Sequence, residues 1–308
     1  MGKYFERKIY DKEGTMTLVT GAEGQLGSDV VLELIRRGKQ VLPVDISVLD
    51  ITDKDAVQNF IYSKKPSYVI HCAAYTTVDA AENNIELCMR TNAEATENIA
   101  RLCRDINAEM MYISTDYVFD GESDLPYEIN ATTSPLSVYG LSKLKGEEAV
   151  LQYSERHYIV RISWVFGNNG NNFVKTILRL AETKPNIRVV NDQIGSPTYT
   201  VDLAVLLCDM ISSKKYGIYH ATNEGFCSWA EFAEEIIRVA EKNCGIAKIP
   251  SEEYPTKAKR PMNSRLSKSS LDKSGFSRLP PWHDAIKRFV ECDRKSRRNN
   301  NSTTAQRQ

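Results

Sequence analysis

The chain has 308 residues, with 40 Lys and Arg against 40 Asp and Glu, 42% hydrophobic and 26% charged. A chain this long buries roughly three quarters of the surface its unfolded form exposes, so its core needs neither disulfide nor metal to hold it. A formal net charge of zero provides no global field for a polyanion, which argues against nucleic acid or an anionic membrane as partner; an anion has to be met by local geometry.

The seven cysteines (72, 88, 103, 208, 227, 244 and 292) are odd in number and scattered, with no CxxC and no His at ligand spacing. They read as free thiols in a reducing compartment, and no metal site is expected. The charged opening MGKYFERKIYDKEG lacks the apolar core of a signal peptide, and no apolar run reaches the roughly 18 residues of a membrane span. A cytoplasmic protein is expected.

From Thr15 onward, short apolar runs alternate with amphipathic stretches. TLVT (17–20), QVLPVD (40–45), SYVIHCAA (67–74), AEMMYIST (108–115) and HYIVRIS (157–163) are continuous apolar runs with polar ends, the pattern of strands covered on both faces of a parallel sheet. Between them SDVVLELIRRG places Val30, Val31, Leu34 and Ile35 on one helical face, and DAVQNFIYS does the same with Val57, Phe60 and Ile61. This alternation predicts right-handed βαβ units, hence an α/β fold with a Rossmann-type doubly wound parallel sheet.

The alternation fades after about residue 165. SWAEFAEEIIRVAEKNCG carries Trp229, Phe232, Ala233, Ile236, Ile237 and Ala240 on one stripe, a core face of a smaller C-terminal α/β subdomain. A Pro- and Lys-rich segment follows, and a last helix begins near Pro281. The expected organisation is an N-terminal extension (1–14), the sheet domain (15–165, with returning segments about 187–222), the smaller subdomain (166–186 and 223–293) and a disordered tail (294–308), because RKSRRNNNSTTAQRQ is polar, basic and aperiodic.

Gly21, Gly24 and Gly27 form a GxxGxxG directly after the first strand and open the first helix. In that context one glycine makes the turn, the second admits a pyrophosphate to backbone N–H groups, and the third lets helix and strand approach; Gln25 and Leu26 lie in the same loop. Asp45 ends the second strand, where a carboxylate accepts from a ribose 2′-OH and repels a 2′-phosphate; this favours NADH over NADPH. Its alternative role is to cap the next turn. Asp50 and Ile51 are candidates for the adenine border, and Ala73, Ala74 and Tyr75 for the passage of ribose or nicotinamide.

Tyr139 and Lys143 stand at i and i+4 in SPLSVYGLSKLKGEEAV, on one helix face. An ammonium beside a phenol stabilises phenolate and is expected to lower the Tyr139 pKa toward working pH, making it a proton donor and acceptor. Thr115 ends the fourth strand at the carboxyl edge of the sheet, where ligands bind in doubly wound folds. Trp164 offers an apolar wall with an N–H, or simple core packing. Arg260 is a candidate partner for a diphosphate, or an ordinary surface arginine. Asn171-Asn172-Phe173 either contacts ligand or caps a helix, and the four His are assigned structural roles.

These residues carry a resemblance. GxxGxxG, STDYVFDG and YGLSKLKGE resemble the extended short-chain dehydrogenase/reductases. More narrowly, CAAYTTVDAAE, STDYVFDG, SPLSVYGLSKLKGEE, RISWVFGNNGNNFVKTILRLA, VNDQIGSPTYTVDLA and KRPMNSRL resemble the dTDP-4-dehydrorhamnose reductase family across residues 16–292. The resemblance implies reduction of the 4-keto group of dTDP-6-deoxy-L-lyxo-4-hexulose to dTDP-L-rhamnose with NADPH or NADH, in nucleotide-sugar and surface polysaccharide biosynthesis. It implies that Tyr139 donates the proton, Lys143 is its partner and a ribose ligand, Thr115 tunes the site, and Thr76, Val78, Asp116 and Trp164 line a sugar pocket. The smaller subdomain would then bind the nucleotide-sugar substrate. Metal ligands that some members hold at a dimer contact cannot be placed on this sequence, and a homodimer is left open.

Two rivals follow from the same resemblance. Sugar-nucleotide dehydratases carry Asp-Glu after the Thr, whereas Asp116-Tyr117 stands here, which argues for simple reduction over a dehydratase or epimerase. A non-catalytic role, like that of the regulatory subunit of methionine adenosyltransferase, is opposed by the intact Thr115, Tyr139 and Lys143.

Overall fold

The computed structural model describes residues 15–305, the backbone alone from 296; the expected extension at 1–14 and the end of the tail at 306–308 lie outside the described residues. The N-terminal half runs β1 (Met16–Thr20), α1 (Gln25–Arg36), β2 (Gln40–Val44), α2 (Lys54–Lys64), β3 (Tyr68–His71), α3 (Val78–Ala81), α4 (Ile85–Met89), a π turn over Arg90–Glu94, α5 (Ala95–Asp105), β4 (Glu109–Thr115), α6 (Val138–Tyr153) and β5 (His157–Ile162). All five expected strands are present. Helix starts are set by side-chain caps: Asp53 accepts from the Ala56 N–H ahead of α2, and Ser137 from the Gly140 N–H ahead of α6.

β6 (Val165–Phe166), α7 (Phe173–Leu180), β7 (Asn186–Val190), β8 (Ile194–Gly195), β9 (Thr198–Tyr199), α8 (Thr200–Ile211) and β10 (Gly217–His220) follow. β10 completes a six-stranded sheet of order β10-β5-β4-β3-β1-β2, parallel throughout. The chain leaves β1 for β2 on one side and returns to β3 on the other, which opens a crevice at the carboxyl ends of β1 and β3. One core layer packs α1 and α8 on the sheet through Val30, Leu34, Leu203 and Leu207; the other packs α2 and α5 through Ile61, Ile99 and Cys103.

The rest of the chain runs β11 (Asn223–Glu224), β12 (Cys227–Ser228), α9 (Trp229–Ala240), β13 (Gly245–Ile249), β14 (Asn263–Ser264), α10 (Ser269–Lys273), β15 (Leu279–Pro281) and α11 (Trp282–Ala305), and α10 packs back on the core of the large sheet through Leu271. Ser228 and Glu231 form a capping box at the start of α9, and its apolar stripe meets Phe166, Trp282 and Phe289 in a separate core.

Two boundaries differ from expectation. β7 falls within the stretch expected to return to the large sheet, but it pairs in parallel with β13 in the smaller body, so the return begins near Thr200. The tail expected to be disordered from Arg294 is helical through Ala305: α11 is nucleated by packing of its first turns, and nothing after Trp282 is Gly or Pro, so propagation is not stopped.

Candidate active site

A cleft of about 820 Å³ opens at the carboxyl edge of the sheet, and the three glycines, Asp45, Asp50, Ala73, Thr115, Tyr139, Lys143 and Trp164 all line it. At its floor Gly21 has φ +65, and a Cβ there would stand 2.7 Å from the Ala73 nitrogen. A Cβ on Gly27 would stand 2.0 Å from the Gly21 carbonyl oxygen. The loop is therefore as thin as backbone allows, and the first turn of α1 presents its N–H groups to the cleft. That cradle fits the diphosphate of a dinucleotide.

Asp45 lines the cleft and caps the turn that follows it. Its carboxylate accepts from the Glu23 N–H at 2.9 Å and the Ile46 N–H at 2.8 Å, which seats it beside the glycine loop, and each oxygen keeps a lone pair for the cleft. Arg37 is not available to a 2′-phosphate, since Glu33 and Asp209 hold its guanidinium. Asp50 accepts from both the N–H and the hydroxyl of Thr52, and these bonds, the backbone one first, hold its carboxyl below the usual range. Ile51, Ala74, Gln25 and Leu26 also line the cleft.

Tyr75 does not reach the cleft wall. Its backbone is gripped instead by Asn92, whose Oδ1 accepts from the Tyr75 N–H at 2.7 Å while Nδ2 donates to the Tyr75 carbonyl at 3.0 Å and to Ser142 Oγ at 2.9 Å. Asn92 lies in the π turn, an irregularity frequent at functional sites, and it fixes the Ala74–Thr76 rim. Nothing in the sequence singles it out, because TNAEATENIA reads as ordinary helix.

Thr115 Oγ1 donates to Asp116 Oδ1 at 3.0 Å and accepts from the Tyr117 N–H at 3.2 Å. Tyr117, likewise not singled out by the sequence, presents its ring edge-on to Tyr139 with centroids 5.5 Å apart. Lys143 is buried, 2% exposed, with its ammonium 4.1 Å from the centre of the Tyr112 ring. The expected lowering of Tyr139 by Lys143 is not what this environment delivers. Desolvation pushes the Tyr139 phenol above its ordinary value, with Thr115 opposing, and burial pulls Lys143 down to about 7, with Glu147 opposing. A dry site disfavours the charged form of both groups. Burial likewise raises the Asp116 carboxyl to about 6, with Ser264 and Thr115 opposing, and among the described residues its Oδ2 lacks a partner of hydrogen-bond geometry.

Thr76, Val78, Asp116 and Trp164 all line the cleft. Trp164 adopts φ 49, a strained value for a large side chain. It stacks on Trp229 at 3.7 Å, and a Cβ on Gly195 would lie 2.6 Å from the indole, so Gly195 makes room for it. Arg260 stands behind the cleft-lining Tyr117. Its guanidinium donates to Asp79 Oδ2 at 2.7 Å and the Tyr117 hydroxyl at 3.2 Å, because a nearby carboxylate satisfies it better than solvent does. Asn172 caps α7 by accepting from the Lys175 N–H, and it donates to Gln25; Asn171 lines the cleft. His71 and His220 are buried, and burial drives both down to about 3, which leaves them neutral.

Comparison with known proteins agrees with this geometry. The family model described as RmlD substrate binding domain matches residues 15–294. The chain is 38% identical over 277 residues to the spore coat polysaccharide biosynthesis protein SpsK of Bacillus subtilis (90% of this chain, 97% of that one). It is 41% identical over 283 residues to the dTDP-4-dehydrorhamnose reductase of Aggregatibacter actinomycetemcomitans (88% and 96%). The crystal structure of the dTDP-4-dehydrorhamnose reductase of Bacillus anthracis in complex with NADP superposes with a TM-score of 0.87 at 40% identity, covering 89% of this chain and 98% of that one. With a matching model over nearly its whole length and relatives at this identity, the chain belongs to the dTDP-4-dehydrorhamnose reductase family.

Proposed function

We propose that this protein reduces the 4-keto group of dTDP-6-deoxy-L-lyxo-4-hexulose to give dTDP-L-rhamnose, as an NAD(P)H-dependent oxidoreductase of nucleotide-sugar biosynthesis. The observation that carries the reading is the convergence of Thr115, Tyr139 and Lys143 on the cleft whose floor is the glycine loop. The dinucleotide, when bound, supplies a hydride to the sugar carbonyl. Gly21, Gly24, Gln25, Leu26 and Gly27 would hold its diphosphate, Asp45 the adenosine ribose, Asp50 and Ile51 the adenine side, and Ala73 and Ala74 the floor beneath the nicotinamide half. Asp45 favours NADH, and that preference is part of the proposal.

Tyr139 is the proton donor in this reading. Its phenol, which burial pushes further above its ordinary value, holds the proton until a stronger base, the developing alkoxide, appears beside it. Thr115 orients that oxygen, and Lys143 supplies positive charge as the phenol gives up its proton. Thr76, Val78, Asp116 and Trp164 form the sugar wall: Trp164 offers an apolar face to a 6-deoxy carbon, and the unpartnered Asp116 oxygen accepts from a sugar hydroxyl. The seven free cysteines support a cytoplasmic location, where thiols stay reduced.

The test is oxidation of NADH and of NADPH at 340 nm with the keto sugar generated in a coupled reaction, beside a control without it. Sugar-dependent oxidation, faster with NADH, is the expected result. No turnover with either dinucleotide, from protein shown to bind one, refutes the assignment.

A further inference from the structure

Behind the cleft lies a charged array that the reaction as described does not use. Glu147 is one helical turn beyond Lys143 on α6 and is 1% exposed. Its Oε1 accepts from Ser114 Oγ and from Arg161 Nε at 2.8 Å, and its Oε2 from Arg161 Nη2 at 2.6 Å. Ser114 directly precedes Thr115 on β4, and Arg161 is on β5. One carboxylate thus ties the helix that carries Tyr139 and Lys143 to the strand that carries Thr115. Arg161 is anchored in turn by the Ile129 carbonyl at 3.0 Å and lies against His220.

Lys143 needs what this array provides. Its ammonium is buried, and among the described residues no carboxylate comes within ion-pair distance of it. The groups around it are the Tyr112 ring on β4, His71 on β3, Cys72 just after β3, Cys88 on α4, and Tyr139 and Glu147 on its own helix. His71 is neutral, and burial raises both thiols, Cys72 to about 12, so they stay protonated. Glu147 is the one anion of that set.

We propose that Glu147, seated by Ser114 and Arg161 one turn beyond Lys143, is a positioning residue that keeps the Lys143 ammonium charged within the dry site and fixes the helix against the Thr115 strand. The proposal rests on the reading of Lys143 given under Proposed function. Glu147 touches no reacting atom; it acts through Lys143. The physical basis is that an ammonium removed from water holds its proton only with a counter-charge close by. Glu147 shares α6 with Lys143, whereas Arg161 is on β5.

The experiment is a pH titration of the lysine Nζ signals of the full chain labelled with ε-15N lysine, with Lys143 assigned by its loss in Lys143→Met. The Lys143 midpoint is expected near 7 in the parent, and in Glu147→Gln lower by about one pH unit, a tenfold loss of proton affinity. The alkaline limb of kcat/KM for NADH is expected to move down with it. Because Glu147→Gln leaves Arg161 buried without its partner, Glu147→Gln/Arg161→Gln is measured beside it, since removing both charges of a buried pair is tolerated better than removing one. The midpoint is expected to fall in the double variant too. A folded single or double variant with the parent midpoint, whatever its melting temperature, overturns the proposal. A lowered midpoint with an unmoved alkaline limb upholds the Glu147–Lys143 coupling and refutes the catalytic reading of Lys143 instead.

Discussion

Replacing Gly27 by alanine tests the cradle most directly. The new Cβ would sit 2.0 Å from the Gly21 carbonyl oxygen and 2.7 Å from its carbon, both backbone atoms, whereas 3.4 Å is an ordinary contact. Roughly 1.4 Å of relative movement between the first turn of α1 and the β1 turn is then needed, because a packed interior has no slack to absorb it. Gly21 cannot retreat, since its own Cβ position is already closed by Ala73. Overpacking of this kind costs about 2 kcal/mol of stability, and a displacement near 1 Å in a positioning element costs about 100-fold in productive binding. The assay is NADH fluorescence titration with a thermal melt on the same sample. Gly38→Ala is the control: it too has positive φ, +71, but open space around it, so it should lose stability and leave the NADH Kd unchanged. A Gly27→Ala protein that binds NADH as the parent does, at the parent melting temperature, would refute the close-approach argument.

Three further outcomes are expected. Tyr139→Phe should lower kcat by about 10²–10⁴-fold while the NADH Kd stays within about twofold, because it removes an acid and keeps the pocket wall; unchanged kcat would remove Tyr139 from the chemistry. Asp45→Ala should raise the NADPH-to-NADH ratio of kcat/KM by about tenfold, one charge repulsion removed, and an unmoved ratio would reduce Asp45 to its bonds with Glu23 and Ile46. With Lys143 held down to about 7 by burial and active as the ammonium, kcat/KM for NADH should fall as pH rises through about 7; a profile flat from pH 6 to 9 contradicts the role of the charge.

What the sequence made legible was whatever depends on neighbours along the chain. Five of the six strands of the large sheet stood out because burial on both faces demands unbroken apolar runs, and the glycine loop because three backbone constraints fall within seven residues. Tyr139 and Lys143 were readable from helical spacing. Contacts between distant segments were not: Arg260 meets Asp79 across 181 positions, and no local pattern announces it. β7, NIRVV, is a short apolar run that suits either body, and only its pairing with β13 decides. Asn92, 17 residues on, anchors the backbone of Tyr75, another contact that no local pattern announces. The sign of the pKa shift at Tyr139 was lost for a related reason: spacing places Lys143 on the same helix face, while burial, the largest cause of the shift, is a property of the assembled walls.

That burial couples the fates of two groups. A phenol held above its ordinary value keeps its proton against water and yields it only to a stronger base, which is what reduction of a carbonyl generates. The reverse reaction would begin from phenolate, and phenolate in this cleft needs the Lys143 ammonium as counter-charge. Lys143 is itself on the edge of losing its proton at neutral pH, so the ion pair is stabilised only while something else offsets the ammonium's desolvation. The buried Glu147, itself anchored by Ser114 and Arg161, is placed to do that. The dryness that keeps Tyr139 protonated therefore makes the site depend on a carboxylate that never meets the substrate. Any variant that wets the cleft, Gly195 or Trp164 included, should relax both groups toward their ordinary values together.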